Sequence, residues 1–309
     1  MSSIDGTAQR QLPEPVQQQA SQLCAGQTPI DATAWQVDRE GVVHVDIDTS
    51  ACGLTGNPLY FTSLGGHSRH WLTQGATSIY RSSAQGFRVV VLHPEAHTPE
   101  TSSGWYINWM ARPEGIKSSK LCTGRAEPFT ARKPEPDGVR FDIDMRDCGF
   151  KESPVLLTSL GGDEGHALTR GATSVYWEDN KGFTVFVQKP GITAEQAEKW
   201  GWHINWTAMP EAHTEDFCTG KTVPGATPWQ QDGRNALVTS LTTDTCEAPL
   251  VFTTVGGRHS HWFALGTSSI SRLDGTRFNL KIRRYQATPD WAAREGWHVN
   301  WMRATQTVD

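Results

Sequence analysis

No apolar run in the chain is long enough to cross a bilayer, so no membrane insertion through a spanning helix is expected. The 28 lysines and arginines form no basic run and are outnumbered by 33 acidic residues, for a formal net charge of −5. Nucleic acid and anionic membranes are therefore not the expected partners. Catalytic signatures are missing as well. There is no Gly-x-Ser-x-Gly elbow, no phosphate-binding glycine loop and no His-Glu-x-x-His, so no enzyme activity and no cofactor are expected. Residues 1–23 lack the apolar core of a secretory signal and read as a flexible polar leader.

What is there repeats. Pro58-Leu-Tyr-Phe-Thr-Ser-Leu-Gly-Gly66 returns as Pro154-Val-Leu-Leu-Thr-Ser-Leu-Gly-Gly162 and as Pro249-Leu-Val-Phe-Thr-Thr-Val-Gly-Gly257. Gly75, Ser78 and Phe87 recur as Gly171, Ser174 and Phe183, then as Gly266, Ser269 and Phe278. Each copy closes on one phrase, Trp105-Tyr-Ile-Asn-Trp109, Trp202-His-Ile-Asn-Trp206 and Trp297-His-Val-Asn-Trp301. The phrases absorb six of the thirteen tryptophans, which marks nearly half of them as architectural. The period divides the chain into a leader (1–23) and repeats at 24–121, 122–217 and 218–309.

The six cysteines keep the same period. Threefold repetition makes Cys24–Cys52, Cys122–Cys148 and Cys218–Cys246 the simplest pairing, each closing a loop worth roughly 3 kcal/mol. Buried free thiols remain the alternative, and cysteine-held zinc lacks the short ligand spacing it needs. A disulfide pattern points to an extracellular or cell-surface location, although no signal peptide is visible.

Apolar residues alternate with period two, as in Val43-His-Val-Asp-Ile-Asp48, and this marks strands with one wet face. Further strands are read at Leu59–Leu64, Ser78–Tyr80, Gly86–Leu92 and the closing phrase, with a tight bend at each Gly-Gly pair. Helices are expected at Thr193–Trp200, with Thr193 and Gln196 as a capping box, and more weakly at Pro289–Glu295. His97–Ser103 takes the helix's place in repeat one. The fold expected is all-β: three tandem small antiparallel β-sandwich domains arranged as a pseudo-trimer, each with one disulfide.

The order of Pro-led strand, bend, Gly-Phe-led strand and closing aromatic-x-Ile/Val-x-Trp strand resembles the H-type lectin domain of snail agglutinins and discoidins. The resemblance spans Pro58–Ala111, Pro154–Ala208 and Pro249–Arg303. It implies six-stranded sandwiches that trimerise and bind galactose-type sugars near the subunit junctions, so three fused copies look like a covalent pseudo-trimer. In the family an arginine before the Gly-Phe strand and an aromatic-histidine pair after it hold the sugar. Here the arginine's place is taken by Gln74, Arg170 and Leu265, and the aromatic-histidine pair is missing, with Leu92-His93, Gln188-Lys189 and Arg284-Tyr285 in its neighbourhood.

Candidate ligand residues come from the loop after the Gly-Gly pair. They are His67, Arg69, His70 and Trp71 in repeat one, Asp163 and His166 in repeat two with Arg170 just beyond, and Arg258, His259, His261 and Trp262 in repeat three. A tryptophan plate beside charged and planar donors suits a sugar ring, and Ala167 removes the plate from the middle repeat. The bland reading has these side chains packing under the loop. Three equivalent histidines, His70, His166 and His261, would also suit a zinc site if they converged. The function expected is multivalent carbohydrate binding by a monomeric pseudo-trimer, with glycans or glycoproteins as partners. A non-enzymatic interaction or adhesion module of a surface or toxin assembly is the alternative.

Overall fold

The computed structural model describes residues 23–93, 104–126, 133–135, 137–233, 235–243, 246–272 and 274–308. The leader, apart from Leu23, and the His97–Ser103 connection lie outside the described residues.

Repeat one contains β1 (Cys24–Gln27), β2 (Gln36–Arg39), β3 (Val42–Asp48), β4 (Leu59–Gly65), β5 (Ser78–Ser83), β6 (Gly86–Leu92) and β7 (Tyr106–Arg112). Alternation drives them: Phe87, Val89 and Val91 of β6 face inward, with half-buried residues between. Repeat two follows with β8 (Cys122–Ala126), β9 (Lys133–Glu135), β10 (Gly138–Asp144), β11 (Val155–Gly161), β12 (Ser174–Tyr176), β13 (Gly182–Gln188), α1 (Ala194–Lys199) and β14 (His203–Met209). After the short β15 (Ala212–His213), repeat three supplies β16 (Phe217–Lys221), β17 (Gln230–Gln231), β18 (Ala236–Thr242), β19 (Leu250–Gly257), β20 (Ser269–Arg272), β21 (Arg277–Arg283), α2 (Pro289–Arg294) and β22 (His298–Ala304). Both expected helices are present, and Thr193 caps α1 by accepting from the Gln196 backbone N–H at 3.1 Å.

Within a repeat the strands form two layers. In repeat one β1-β7-β4 faces β2-β3-β6-β5, and Val45, Ile47, Leu64, Phe87, Val89, Trp105 and Trp109 fill the space between. The disulfide Cys24–Cys52 ties β1, in one layer, to the turn after β3, in the other. Cys122–Cys148 and Cys218–Cys246 repeat the device.

The sheets do not stop at repeat boundaries. β5 pairs in parallel with β11, β12 with β19, and β20 with β4, so each of the three sheets joins half of one repeat to half of another. The expected antiparallel order holds inside a repeat and gives way to parallel pairing at every junction. Repeat three joins repeat one, which closes a ring. The chain end fastens this seam, because Thr307 N–H donates to Ala25 O at 2.9 Å and Ala25 N–H to Thr307 Oγ1 at 2.8 Å.

This closure explains why β4, β7 and β11 are buried along both faces. One face fills the repeat's own core. The other meets a fourth cluster containing Leu59, Phe61 and Met110 from repeat one, Leu157 and Met209 from repeat two, and Leu250, Phe252 and Met302 from repeat three. Asn108 and Asn205 of the closing phrases sit on this side and donate to Ser63 Oγ at 3.0 Å and Ser159 Oγ at 3.2 Å. Those hydroxyls donate onward to Val251 O and Tyr60 O of a neighbouring repeat.

Arg112 is 1% exposed beside this cluster, and burial holds its pKa down to about 10. Its Nε and Nη2 have no hydrogen-bond partner among the described residues. Repeat two carries Met209 at the equivalent strand position. The Arg112 guanidinium lies 5.7 Å from the Phe217 ring centre, but Arg112→Met is still expected to raise stability by about 1–3 kcal/mol, because a buried guanidinium with two unsatisfied nitrogens and no carboxylate pair among the described residues costs more than a methionine of similar reach. Urea melts followed by tryptophan fluorescence check this, and a less stable variant would show that the guanidinium is compensated.

The Gly-Gly pairs are corrected. They were expected to supply positive φ in a bend, but of the six glycines only Gly162 has positive φ, at 159°, close to extended. What they supply is room. A Cβ on Gly65 would lie 2.1 Å from the Tyr106 ring, and one on Gly66 2.9 Å from Trp105. The left-handed glycines are Gly75, Gly171 and Gly266, at φ 82°, 86° and 77°. There the backbone also passes too close to the next repeat for any side chain, as at Gly75, where a Cβ would sit 2.7 Å from Ala167 O.

Candidate functional site at the mouth of the ring

The loop after the Gly-Gly pair is a plug between repeats. His70, His166 and His261 are each 0% exposed. His166 Nε2 donates to Ile79 O of repeat one at 2.9 Å while its ring stacks on Tyr80 at 3.6 Å. His261 does the same with Val175 O at 2.7 Å and Tyr176 at 3.8 Å. The neighbour answers: Ser78, Ser174 and Ser269 donate to the carbonyls of His166, His261 and His70. At the seam Ser271 takes the tyrosine's place, with its Oγ 3.3 Å from His70 Nε2. The first tryptophan of each closing phrase pins the same loop, as Trp202 Nε1 donates to Glu164 O at 2.7 Å.

These three histidines, read as ligand residues, are corrected by this geometry, since fully enclosed rings cannot meet a soluble ligand. Nor do they converge on a metal. Each lies at a different junction, and no group of three metal-binding side chains occurs among the described residues. Burial pushes the pKa of His70 and His166 down to about 4 and of His261 to about 3, so all three stay neutral in the folded ring.

Trp71 and Trp262 also pack against neighbours. The Lys281 ammonium lies 3.8 Å from the Trp71 ring centre, and Trp262 meets Phe186 edge-on at 5.3 Å. His67, Arg69, Asp163, Arg258 and His259 are exposed on the rim. His259 lies 2.8 Å from Glu295, and His67 lies 3.7 Å from Asp31. The rim residues are spread over three loops.

Arg170 is different. Beyond each plug the chain runs extended into the left-handed glycine, and this stretch bridges the end of the Gly-Phe strand. Gln74 pairs with Leu92, Arg170 with Gln188 and Leu265 with Arg283. The next residues, Thr73–Ser78, Thr169–Thr173 and Ala264–Ser269, surround a central void of about 30 Å³, room for little more than a water. Beside it opens a cleft of about 270 Å³ lined by Leu72, Gln74 and His93 from repeat one, Arg170 from repeat two, and Phe263, Leu265, Arg283 and Tyr285 from repeat three.

Gln74, with its amide oxygen turned to the guanidinium, accepts from Arg170 Nε and Nη2 at 3.1 Å each. Burial and then the charges of Arg283 and Arg284 lower the Arg170 pKa. Arg284 is held by Ser260 O at 3.2 Å and Tyr285 O at 2.7 Å, and the Tyr285 side chain is 67% exposed. Gln74, Arg170 and Leu265 are the positions to which the lectin resemblance assigns its arginine, and His93 and Tyr285 fall in the neighbourhood of its aromatic pair. Sequence reasoning took only Arg170 of the three as a ligand residue and grouped it with the loop of its own repeat, whereas the ring brings all three positions to one cleft. Arg283 was missed, because only the pairing of Leu265 with the strand end brings it there.

A second cleft, of about 320 Å³, lies between repeats two and three and includes Trp177, Glu178, Lys221, Arg258 and His298. Trp177 is 52% exposed, and the Arg140 guanidinium lies 5.2 Å from its ring. Glu178 and His298 form a buried ion pair across the junction. Burial alone would lower the His298 pKa, but the hydrogen bond and charge of Glu178 outweigh it and raise the net value.

No family model, no curated protein and no solved structure matches this chain.

Proposed function

We propose that this chain is a lectin-like carbohydrate-binding protein, a single-chain pseudo-trimer acting outside the cell and engaging glycans or glycoproteins. The observation that carries the reading is the cleft at the mouth of the ring. All three repeats line it, and it lies where the H-type lectin resemblance puts a sugar. Its guanidinium, amide and phenol groups around a partly apolar wall suit a pyranose, which offers hydroxyl edges and an apolar face. One composite cleft replaces the three equivalent loop sites expected from the repeats. The Trp177 cleft gives a second attachment point, so multivalency here means unlike sites on one rigid body. The three disulfides agree with an oxidising environment.

A glycan array probed with the full chain is the direct test. Binding to a restricted set of glycans, lost in a Gln74→Ala/Tyr285→Ala double variant of unchanged melting temperature, is expected. Absence of any glycan signal at millimolar monosaccharide or array density would favour the protein-interaction alternative.

A further inference from the structure

We infer that the cleft at the mouth of the ring selects an acidic saccharide and binds its carboxylate between Arg170 and Arg283. This rests on the lectin reading for the sugar, but not for the anion.

Several arginines elsewhere on the molecule are ion-paired. Arg88 meets Asp46, Arg140 meets Asp142, Arg277 meets Asp274 and Arg125 meets Glu114. The cleft differs. Arginines of two different repeats line one space of about 270 Å³, no carboxylate lines it among the described residues, and the chain as a whole carries a net charge of −5. Repulsion from Arg283 and Arg284 disfavours the charged form of Arg170, on top of its burial. A neutral sugar leaves that repulsion in place. A carboxylate relieves it and accepts charge-assisted hydrogen bonds in a partly buried setting, where they are strongest.

The donors are also arranged for it. Gln74 holds Arg170 by its Nε–Nη2 edge, which fixes the plane of the guanidinium and leaves Nη1 uncommitted among the described residues. Arg284 spends donors on Ser260 O and Tyr285 O, so it contributes field more than contacts. Tyr285, 67% exposed, and Leu265 line the same cleft and offer it aromatic and aliphatic surface for the sugar's apolar face.

The ring supplies its own controls. Gln74 occupies the position equivalent to Arg170, and Gln188 the position equivalent to Arg283, so arginine-to-glutamine changes import a side chain the fold already carries there. Calorimetry on the full chain at low salt should compare glucuronate, galacturonate and N-acetylneuraminate with glucose, galactose and N-acetylmannosamine, and with acetate and inorganic phosphate. At least one acid should bind tenfold or more tightly than its neutral counterpart, and less tightly as salt rises. Arg170→Gln and Arg283→Gln should each remove most of that preference while melting like wild type. Neutral sugars binding as well as acids, acids bound equally by both variants, or no acid or anion bound at all would overturn the inference. If acetate and phosphate bind through the two arginines and no sugar does, the anion site stands and the lectin reading falls. If only neutral sugars bind, the reverse holds.

Discussion

Acidification from pH 7 to pH 4.5 should cost the ring several kcal/mol of stability. His70, His166 and His203 have their pKa pushed down to about 4, and His261 to about 3, chiefly by burial. In the unfolded chain each titrates near 6.5. A base whose folded pKa lies below its unfolded one contributes its full stability above the unfolded value. That contribution is lost as pH falls from about 6.5 toward 4, where the unfolded chain takes up protons that the folded ring refuses. A gap of one pH unit is worth about 1.4 kcal/mol, so even one unit at each of four histidines is comparable with the lower range of whole-domain stabilities. Nearby cations add to the effect: Lys281 acts on His70 and Lys189 on His166. His298 runs the opposite way. Glu178 raises its pKa, so its smaller contribution is lost as pH rises beyond the normal histidine range. Urea midpoints at pH 7, 6, 5.5 and 4.5 measure the sum, and a flat profile across that window would show that the plugs tolerate charge. His166→Gln should flatten the slope while lowering stability at pH 7.

The seam is expected to open first. Two junctions stack a tyrosine on the plug histidine and spend its hydroxyl on the next backbone N–H, Tyr80 to Ala167 at 2.7 Å and Tyr176 to Trp262 at 2.9 Å. The seam has Ser271 there and relies on the chain end around Thr307.

Those plugs show where sequence reading succeeds and where it stops. Strand β6 was legible to the residue, because period-two alternation is a local property, and the cysteine pairing was legible because three copies restrict the choices. The histidine was seen to stay in register, but one repeat does not reveal that its partner lies in the next. Burial at 0% comes from ring closure, and no local pattern encodes ring closure. The same ignorance assigned Arg170 to the loop of its own repeat and left Gln74 and Leu265 out, when the three share one cleft. It also took the Gly-Gly pair for a bend, since a glycine needed for a neighbour's aromatic ring looks the same in sequence as one needed for positive φ.

Trp206→Ala should cost about 3–5 kcal/mol, the usual range for emptying a buried aromatic site. Trp206 is 4% exposed, meets Phe183 edge-on at 6.3 Å and covers Gly124 on the facing strand β8, where a Cβ would lie 2.6 Å from its ring. Trp109 covers Gly26 and Trp301 covers Gly220 in the same way, which accounts for the glycine that follows each first cysteine by two residues. Trp177→Ala is the control: a half-exposed indole at the second cleft should change stability by no more than about 0.5 kcal/mol. The decisive comparison is a double-mutant cycle. Gly124→Ala should destabilise the intact chain, because the new methyl must displace the indole, and should be nearly neutral once Trp206 is alanine. The two changes should therefore couple by about 1–3 kcal/mol, beyond what independent sites show. Additive effects in urea melts would mean that the indole moves aside freely and that the cysteine-side glycine is kept for some reason other than the tryptophan above it.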